Sequence, residues 1–344
     1  MSEKENSLEQ LSRNFLVIDQ REQVKIDPSL IAKRVNSAAK ILNENHKMAF
    51  IDIQLKHIKH KLMAQFSMDL SESSVLIYSK DVERGWLDSL NDPNRLGFEY
   101  YKAYVEYLGV IGRPQKVISE NTKIIDNILD LSGDPQKTGQ WARRGLVMGN
   151  VQSGKTQNYV GLVNKAADLG YRTIIILGGH QNELRNQTQM RIHEGFHGID
   201  YEGNRIGVGA IRSNKYGTHE GTKDRDFNVA AANTVGLNLA GLTFPCVFVV
   251  KKNVSILKTL RKWISNKHSL DPENNRRLSE PLLFIDDESD YATPNSKQKA
   301  GAITATNEII RDILNLFERN SYVGYSATPF ANIFIDPDSD NNEW

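Results

Sequence analysis

Gly145-Leu-Val-Met-Gly-Asn-Val-Gln-Ser-Gly-Lys-Thr156 is the stretch whose reading decides the fold. A short apolar run opens there into the spacing G-x-x-x-x-G-K-[ST], the pattern of a loop that cradles phosphates. Gly149 and Gly154 let the backbone turn tightly and bring its N–H groups against phosphate oxygens, with Gln152 and Ser153 in the same cradle. Lys155 adds a point charge toward the outer phosphates, and the Thr156 hydroxyl can hold Mg2+. The expected ligands are therefore ATP and Mg2+. The flanks agree with this spacing. Leu146 to Met148 can form the preceding strand, and Tyr159, Leu162, Val163 and Ala166 fall at i, i+3, i+4 and i+7 of a helix that Gly170 can end.

Outward from this stretch, the texture from residue 136 onward alternates strands with helices. The runs 173–177, 246–250, 282–285 and 322–324 are short and apolar, as in strands buried on both faces of a parallel sheet. With the strand before the phosphate loop they make about five. Helical spacing at 155–169, 180–194, 253–266 and 304–318 separates them, which predicts an α/β, doubly wound domain. Residues 195 to about 240 carry no clear periodicity, and so long a segment inside a compact domain is often functional or mobile. Upstream, 1 to about 25 reads as polar and loose. Segments 29–42, 48–68, 98–109 and 121–131 read as helices, so 1–135 is expected to be a mainly helical region. The aromatic group Phe98, Tyr100, Tyr101, Tyr104 and Tyr107 fits helix core and rim better than a base-stacking platform.

Composition sets outer bounds. The 344 residues allow about two ordinary domains. With 43 basic and 42 acidic residues there is no overall field to draw a polyanion, so any such site is a local patch. The apolar runs are too short for a bilayer, and the opening MSEKENSLEQ lacks the form of a secretion signal. A cytoplasmic location without membrane contact is expected. The single cysteine, Cys246, excludes an internal disulfide and is expected to be a buried, inert thiol.

A second chemical station is Leu282-Leu-Phe-Ile-Asp-Asp-Glu-Ser-Asp290, a buried strand ending in carboxylates. ATP hydrolysis needs one acid to orient Mg2+ and another to position and deprotonate water. In the D-E-x-D register these are Asp287 and Glu288, with Asp290 coupling to neighbouring motifs. A second register puts Asp286 on the metal. A third station, Tyr325-Ser-Ala-Thr-Pro329, places Ser326 and Thr328 where hydroxyls can relay the state of the γ-phosphate. Between the phosphate pattern and the carboxylate cluster, His180 to Gln189 offers Arg185 and Gln187 to a polymer backbone, against the alternative of a solvated helix start. Gln140 and Trp141, just upstream of the phosphate loop, are candidates for adenine contact, with linker packing as the bland alternative. His193-Glu-Gly-Phe-His197 matches the zinc pattern H-E-x-x-H with Glu220 as a conceivable third ligand, but Gly195 and Gly198 weaken the helix that pattern needs.

Taken in order, these stations resemble the first motor lobe of superfamily-two helicases, with Glu183, Leu184 and Gln187 as the E-L-x-x-Q element between the phosphate loop and D-E-x-D. The wording of 145–156, Lys165-Ala-Ala-Asp-Leu-Gly-Tyr-Arg172, Gln187-Thr-Gln189, Ile285-Asp-Asp-Glu288 and Ser326-Ala-Thr-Pro-Phe-Ala-Asn332 is similar to Z1-domain proteins over at least 140–335. That resemblance implies a RecA-like P-loop NTPase domain over 136–335 and a linker or truncated end at 336–344. It also implies a DNA-dependent ATPase or endonuclease setting with methyltransferase or phage-defence partners. A complete motor needs a second lobe, expected here beyond residue 344 together with any nuclease part. The expected function is an ATP-hydrolysing, DNA-acting motor module. The alternative is a nucleotide-dependent switch that recruits partners through 1–135.

Overall fold

The computed structural model describes residues 3–21, 28–52, 54–56, 58–59, 62, 85–89, 98–148, 154–212, 217–222, 225–234, 236–289 and 305–326. The chain forms two compact units. One comprises Met1–Ser74 with Leu108–Asn121, and the other Val75–Tyr107 with Thr122–Trp344.

In the first unit, α1 (Glu3–Arg21) corrects the expectation of a loose N-terminus. It packs on α2 (Pro28–His46), and Leu8, Leu16, Ile31, Val35 and Ala38 meet in a core with no solvent exposure. Full burial of such aliphatic side chains contributes about 1.5–3 kcal/mol each, which offsets the ordering of a helix rich in charge. The Asp19 carboxylate, almost fully buried, pairs with the Arg34 guanidinium across the two helices. In the segment 48–68 the described residues 52, 54–56, 58, 59 and 62 are helical, and Ile58 and Leu62 join the same core.

The second unit carries α3 (Trp86–Ser89), most of α4 (Glu99–Val110) and of α5 (Gln115–Ser132), and a six-stranded sheet. The strands are β1 (Trp141–Met148), β2 (Thr173–Gly178), β3 (His219–Glu220), β4 (Cys246–Val250), β5 (Leu282–Asp287) and β6 (Arg319–Ser326). Their order is β1-β6-β5-β2-β4-β3 and every pairing is parallel. Five strands coincide with the apolar runs. The sixth, β3, has two residues and no periodicity to announce it.

Crossover direction decides which face each helix covers. Connections between parallel strands are right-handed, so those running one way along the sheet lie on one face and those running back lie on the other. From β1 the chain crosses to β2 through α6 (Lys155–Leu169), and α7 (Asn182–Ile192) follows β2 on the same face. The chain returns through α8 (Val229–Thr234), α9 (Val254–Lys267) and α10 (Ala305–Leu314) on the opposite face. There Leu257, Leu260, Ile264, Ile310 and Ile313 pack on Ile175, Phe248, Val250, Leu282 and Phe284. Cys246 is buried in that core, and burial pushes its thiol pKa upward, which keeps it inert.

Helix α6 is buried along nearly its whole length, because α4 and α5 cover the side away from the sheet. A Cβ on Gly161 would meet Ile125, Tyr104 and Tyr101 at 2.6–3.5 Å, so this helix has no room on its outer face. Asp168 caps α4 by accepting the N–H groups of Tyr100 (3.1 Å) and Tyr101 (2.9 Å). Lys165 pairs with Asp126 and lies 5.1 Å from the Tyr101 ring centre. The aromatic group is thus helix core, with Tyr100, Tyr101 and Tyr104 all buried. Gly170 ends α6 at φ 112°, a conformation that side chains rarely adopt, and its N–H returns to the Ala166 carbonyl.

Candidate active site

Parallel strands bring all their C-terminal ends to one edge of the sheet, and register sets what meets there. Val147, Tyr325, Asp287 and Gly178 form one row across β1, β6, β5 and β2. One strand therefore separates the phosphate-loop strand from the carboxylate strand. At about 4.8 Å per strand they stand roughly 10 Å apart.

Above this row α6 begins. Gly154 is in the left-handed region at φ 78°, and Lys155 and Thr156 occupy the first turn, where unpaired N–H groups and the helix dipole favour an anion. Lys155 and Thr156 are half-buried. Gly149, Gln152 and Ser153 lie outside the described residues, as do Asp290 and Thr328.

Strand alternation separates the two aspartates. Phe284 faces α9 and α10, so Asp286, two residues on, faces the same way, and Asp287 faces α6. Tyr322, stacked on Phe284, donates its hydroxyl to Asp286 at 2.8 Å. The Lys252 ammonium meets the other oxygen at 2.5 Å, with both side chains fully buried. Asp286 is thereby committed to an internal pair. Asp287 instead lies within the field of Lys155 and close to the buried Tyr159 phenol, whose pKa its charge helps to raise. Of the two acids, Asp287 is the one that faces α6.

Burial first, and then the neighbouring Glu288 carboxylate, raise the Asp287 pKa to about 6, with Lys155 opposing both. In the window from about 4 to about 6 the native state holds a proton that the unfolded chain has released. Stability should accordingly fall as pH rises through this window, and Asp287→Asn should flatten that slope in melting curves recorded from pH 4 to pH 7. A cation bound at Asp287 needs the ionised form. Its binding should release a proton near pH 6, measurable by calorimetry in two buffers of different ionisation enthalpy.

Glu288 follows in the left-handed region at φ 57°, a conformation costing roughly 1–2 kcal/mol for a residue with a Cβ. Its side chain is 44% exposed, with His180 Nδ1 3.8 Å from Oε2. Ser289 N–H donates to the Tyr325 carbonyl at 2.9 Å, and Tyr325 donates its hydroxyl to Asn158 on α6 at 2.7 Å. Ser326, fully buried at the end of β6, completes the edge. Metal ligation by Thr156 and Asp287 fits the donor set, since hydroxyl and carboxylate oxygens are what Mg2+ takes.

Three expectations change. Gln140 precedes β1 and bonds to Asn275 at 2.9 Å. It sits at the opposite end of an eight-residue strand from Gly154, about 25 Å away, which removes it from a ligand held there. Arg185 is 2% exposed and turned into the sheet, donating to the Val249 carbonyl (3.0 Å) and to Gln189 (3.0 Å). Its guanidinium does not face a polymer, whereas Gln187 is exposed on the outer side of α7. His193 and His197 sit in a π-helical turn rather than on an α-helix. His193 faces Glu220 at 3.2 Å, His197 faces Thr218 at 2.8 Å and Glu194 faces Arg191 at 3.1 Å, and no metal-binding group of three such side chains occurs among the described residues.

Tyr159, Lys252 and His180 belong to this site although sequence reading gave none of them a role in it. For Tyr159 a signal exists in the sequence, because its place one turn after Gly-Lys-Thr on the buried stripe of α6 keeps it near Thr156. Lys252 has no such signal. No described helix is long and apolar enough to cross a membrane. No protein-family model matches the chain and no curated protein matches it, so its functional assignment rests on these residues alone.

Proposed function

We propose that this chain is a RecA-like P-loop ATPase of the Z1-domain kind, the motor module of a cytoplasmic, DNA-acting enzyme. One observation carries the reading. Asp287 leaves β5 on the face that α6 covers, within the field of Lys155, with Glu288 beside it. In this reading Lys155 and the amides at the start of α6 bind the phosphates of ATP. Thr156 and Asp287 hold Mg2+, which would supply charge neutralisation during phosphoryl transfer. Glu288, partly exposed and adjacent, accepts the proton of the attacking water. Tyr159 keeps the two metal-holding side chains in place, and Ser326 lies where the end of β6 senses the same edge.

The switch reading gains from one finding, since the buried Arg185 withdraws a cation expected at a polymer. DNA coupling therefore falls to Gln187 and to surfaces the sequence does not mark. A single experiment separates the two readings. ATP turnover is measured with Mg2+ with and without single-stranded and duplex DNA, using Glu288→Gln as the control that keeps nucleotide binding. DNA stimulation lost in the variant supports the motor. Nucleotide binding with no DNA effect on turnover favours the switch. Absence of nucleotide binding by the unaltered chain overturns both.

A further inference from the structure

We infer that Lys252 is the positioning residue of this site, fixing the turn at Glu288 and so aiming its carboxylate. This rests on the ATPase reading in so far as Glu288 is the base. Three strand ends meet at Lys252. It lies two residues beyond the end of β4 and donates its backbone N–H to the Gly179 carbonyl beyond β2 at 2.8 Å. Its ammonium donates to the Glu288 carbonyl beyond β5 at 2.6 Å and pairs with Asp286 at 2.5 Å.

Such a side chain, fully buried, cannot touch a nucleotide. The bond to Glu288 is to its carbonyl, the group whose direction is set by the left-handed turn at φ 57°. A residue with a Cβ holds that conformation only where surroundings over-determine it. The surroundings here include the Lys252 ammonium on the Glu288 carbonyl, the Glu288 N–H donated to Asp287 Oδ1 at 3.1 Å and the Ser289 N–H to Tyr325 bond. A glycine at 288 would meet the backbone demand but bring no carboxylate. Asp286 has a supporting part, because its carboxylate meets the same ammonium at 2.5 Å and fixes its direction.

The test separates holding the turn from merely neutralising Asp286. Lys252→Met strands a buried carboxylate and can fail to fold, so it is paired with Asp286→Leu to replace the ion pair by apolar groups. Asp286→Asn, which keeps Lys252, controls for changes at 286. In the double variant, melting temperature is expected to fall by only a few degrees, because Tyr322 loses its acceptor, while hydrogen exchange at the Ser289 amide becomes at least about tenfold faster at a temperature well below melting. ATP turnover is expected to fall up to about 100-fold with KM for ATP unchanged, as for a misaimed catalytic group. The Asp286→Asn control, which leaves the Lys252 ammonium in place, should exchange at Ser289 more slowly than the double variant when both are compared at a temperature where each is folded. Slow exchange at Ser289 in the double variant, or unchanged kcat with fast exchange, overturns the inference. If the unaltered chain binds no nucleotide, the ATPase reading fails separately, and the exchange result alone decides whether Lys252 holds the turn.

Discussion

Replacing Lys155 by alanine is expected to weaken binding of Mg2+–ATP by about 10- to 100-fold and to abolish turnover, with the fold intact. The magnitude is that of a hydrogen bond to a charged group, roughly 1.5–3 kcal/mol. Stability should hardly change, because Lys155 is half-buried in the first turn of α6, where alanine is a good helix former. A second effect distinguishes loss of a phosphate contact from general damage. Lys155 is one of the charges holding the Asp287 carboxyl down against burial. Its removal should move the pH midpoint of Mg2+ binding upward, since Asp287 then ionises less readily. Calorimetric titration across pH 5 to 8 reads both, and unchanged nucleotide affinity in the variant would remove the phosphate-loop reading.

The sheet was legible because burial writes itself into composition. Ile174, Ile175, Ile176 and Leu177 have no exposure, and a run so short and so rich in β-branched residues between turn signals favours a buried strand over a buried helix segment. The candidate site was legible for a related reason, since Asp287 and Lys155 stand at the end of a strand and the start of a helix. The failures have physical causes too. Charged residues on α1 outnumber its buried ones, so its apolar stripe is hidden until α2 supplies a partner. Arg185 looked like a surface cation, but a long side chain beside a parallel strand can turn inward and satisfy a carbonyl such as that of Val249. Gln140 was misplaced because proximity in sequence to a phosphate loop spans the whole length of β1. Lys252 stayed invisible because its partners, Gly179 and Glu288, come from two other strands.

Asparagine at 286 and at 287 should give opposite phenotypes, although the two positions are adjacent. Asp287→Asn removes the carboxylate that faces Lys155, so Mg2+-dependent turnover should be lost. Its melting temperature should be unchanged or higher at neutral pH, because burial disfavours the charge that is deleted. Asp286→Asn removes the anion opposite a fully buried ammonium. Breaking such a pair costs about 3–5 kcal/mol, since the remaining buried charge loses its counter-ion and gains no hydration in exchange. The Tyr322 hydroxyl keeps an acceptor in the asparagine oxygen, so the loss falls on Lys252. Asp286→Asn should therefore melt many degrees lower while the folded fraction still turns over ATP at low temperature. Paired melting curves and turnover in the cold read this crossing of effects. A stable, inactive Asp286→Asn beside an active Asp287→Asn would transfer the metal to Asp286, against the alternation of β5 that sends the two carboxylates to opposite faces of the sheet.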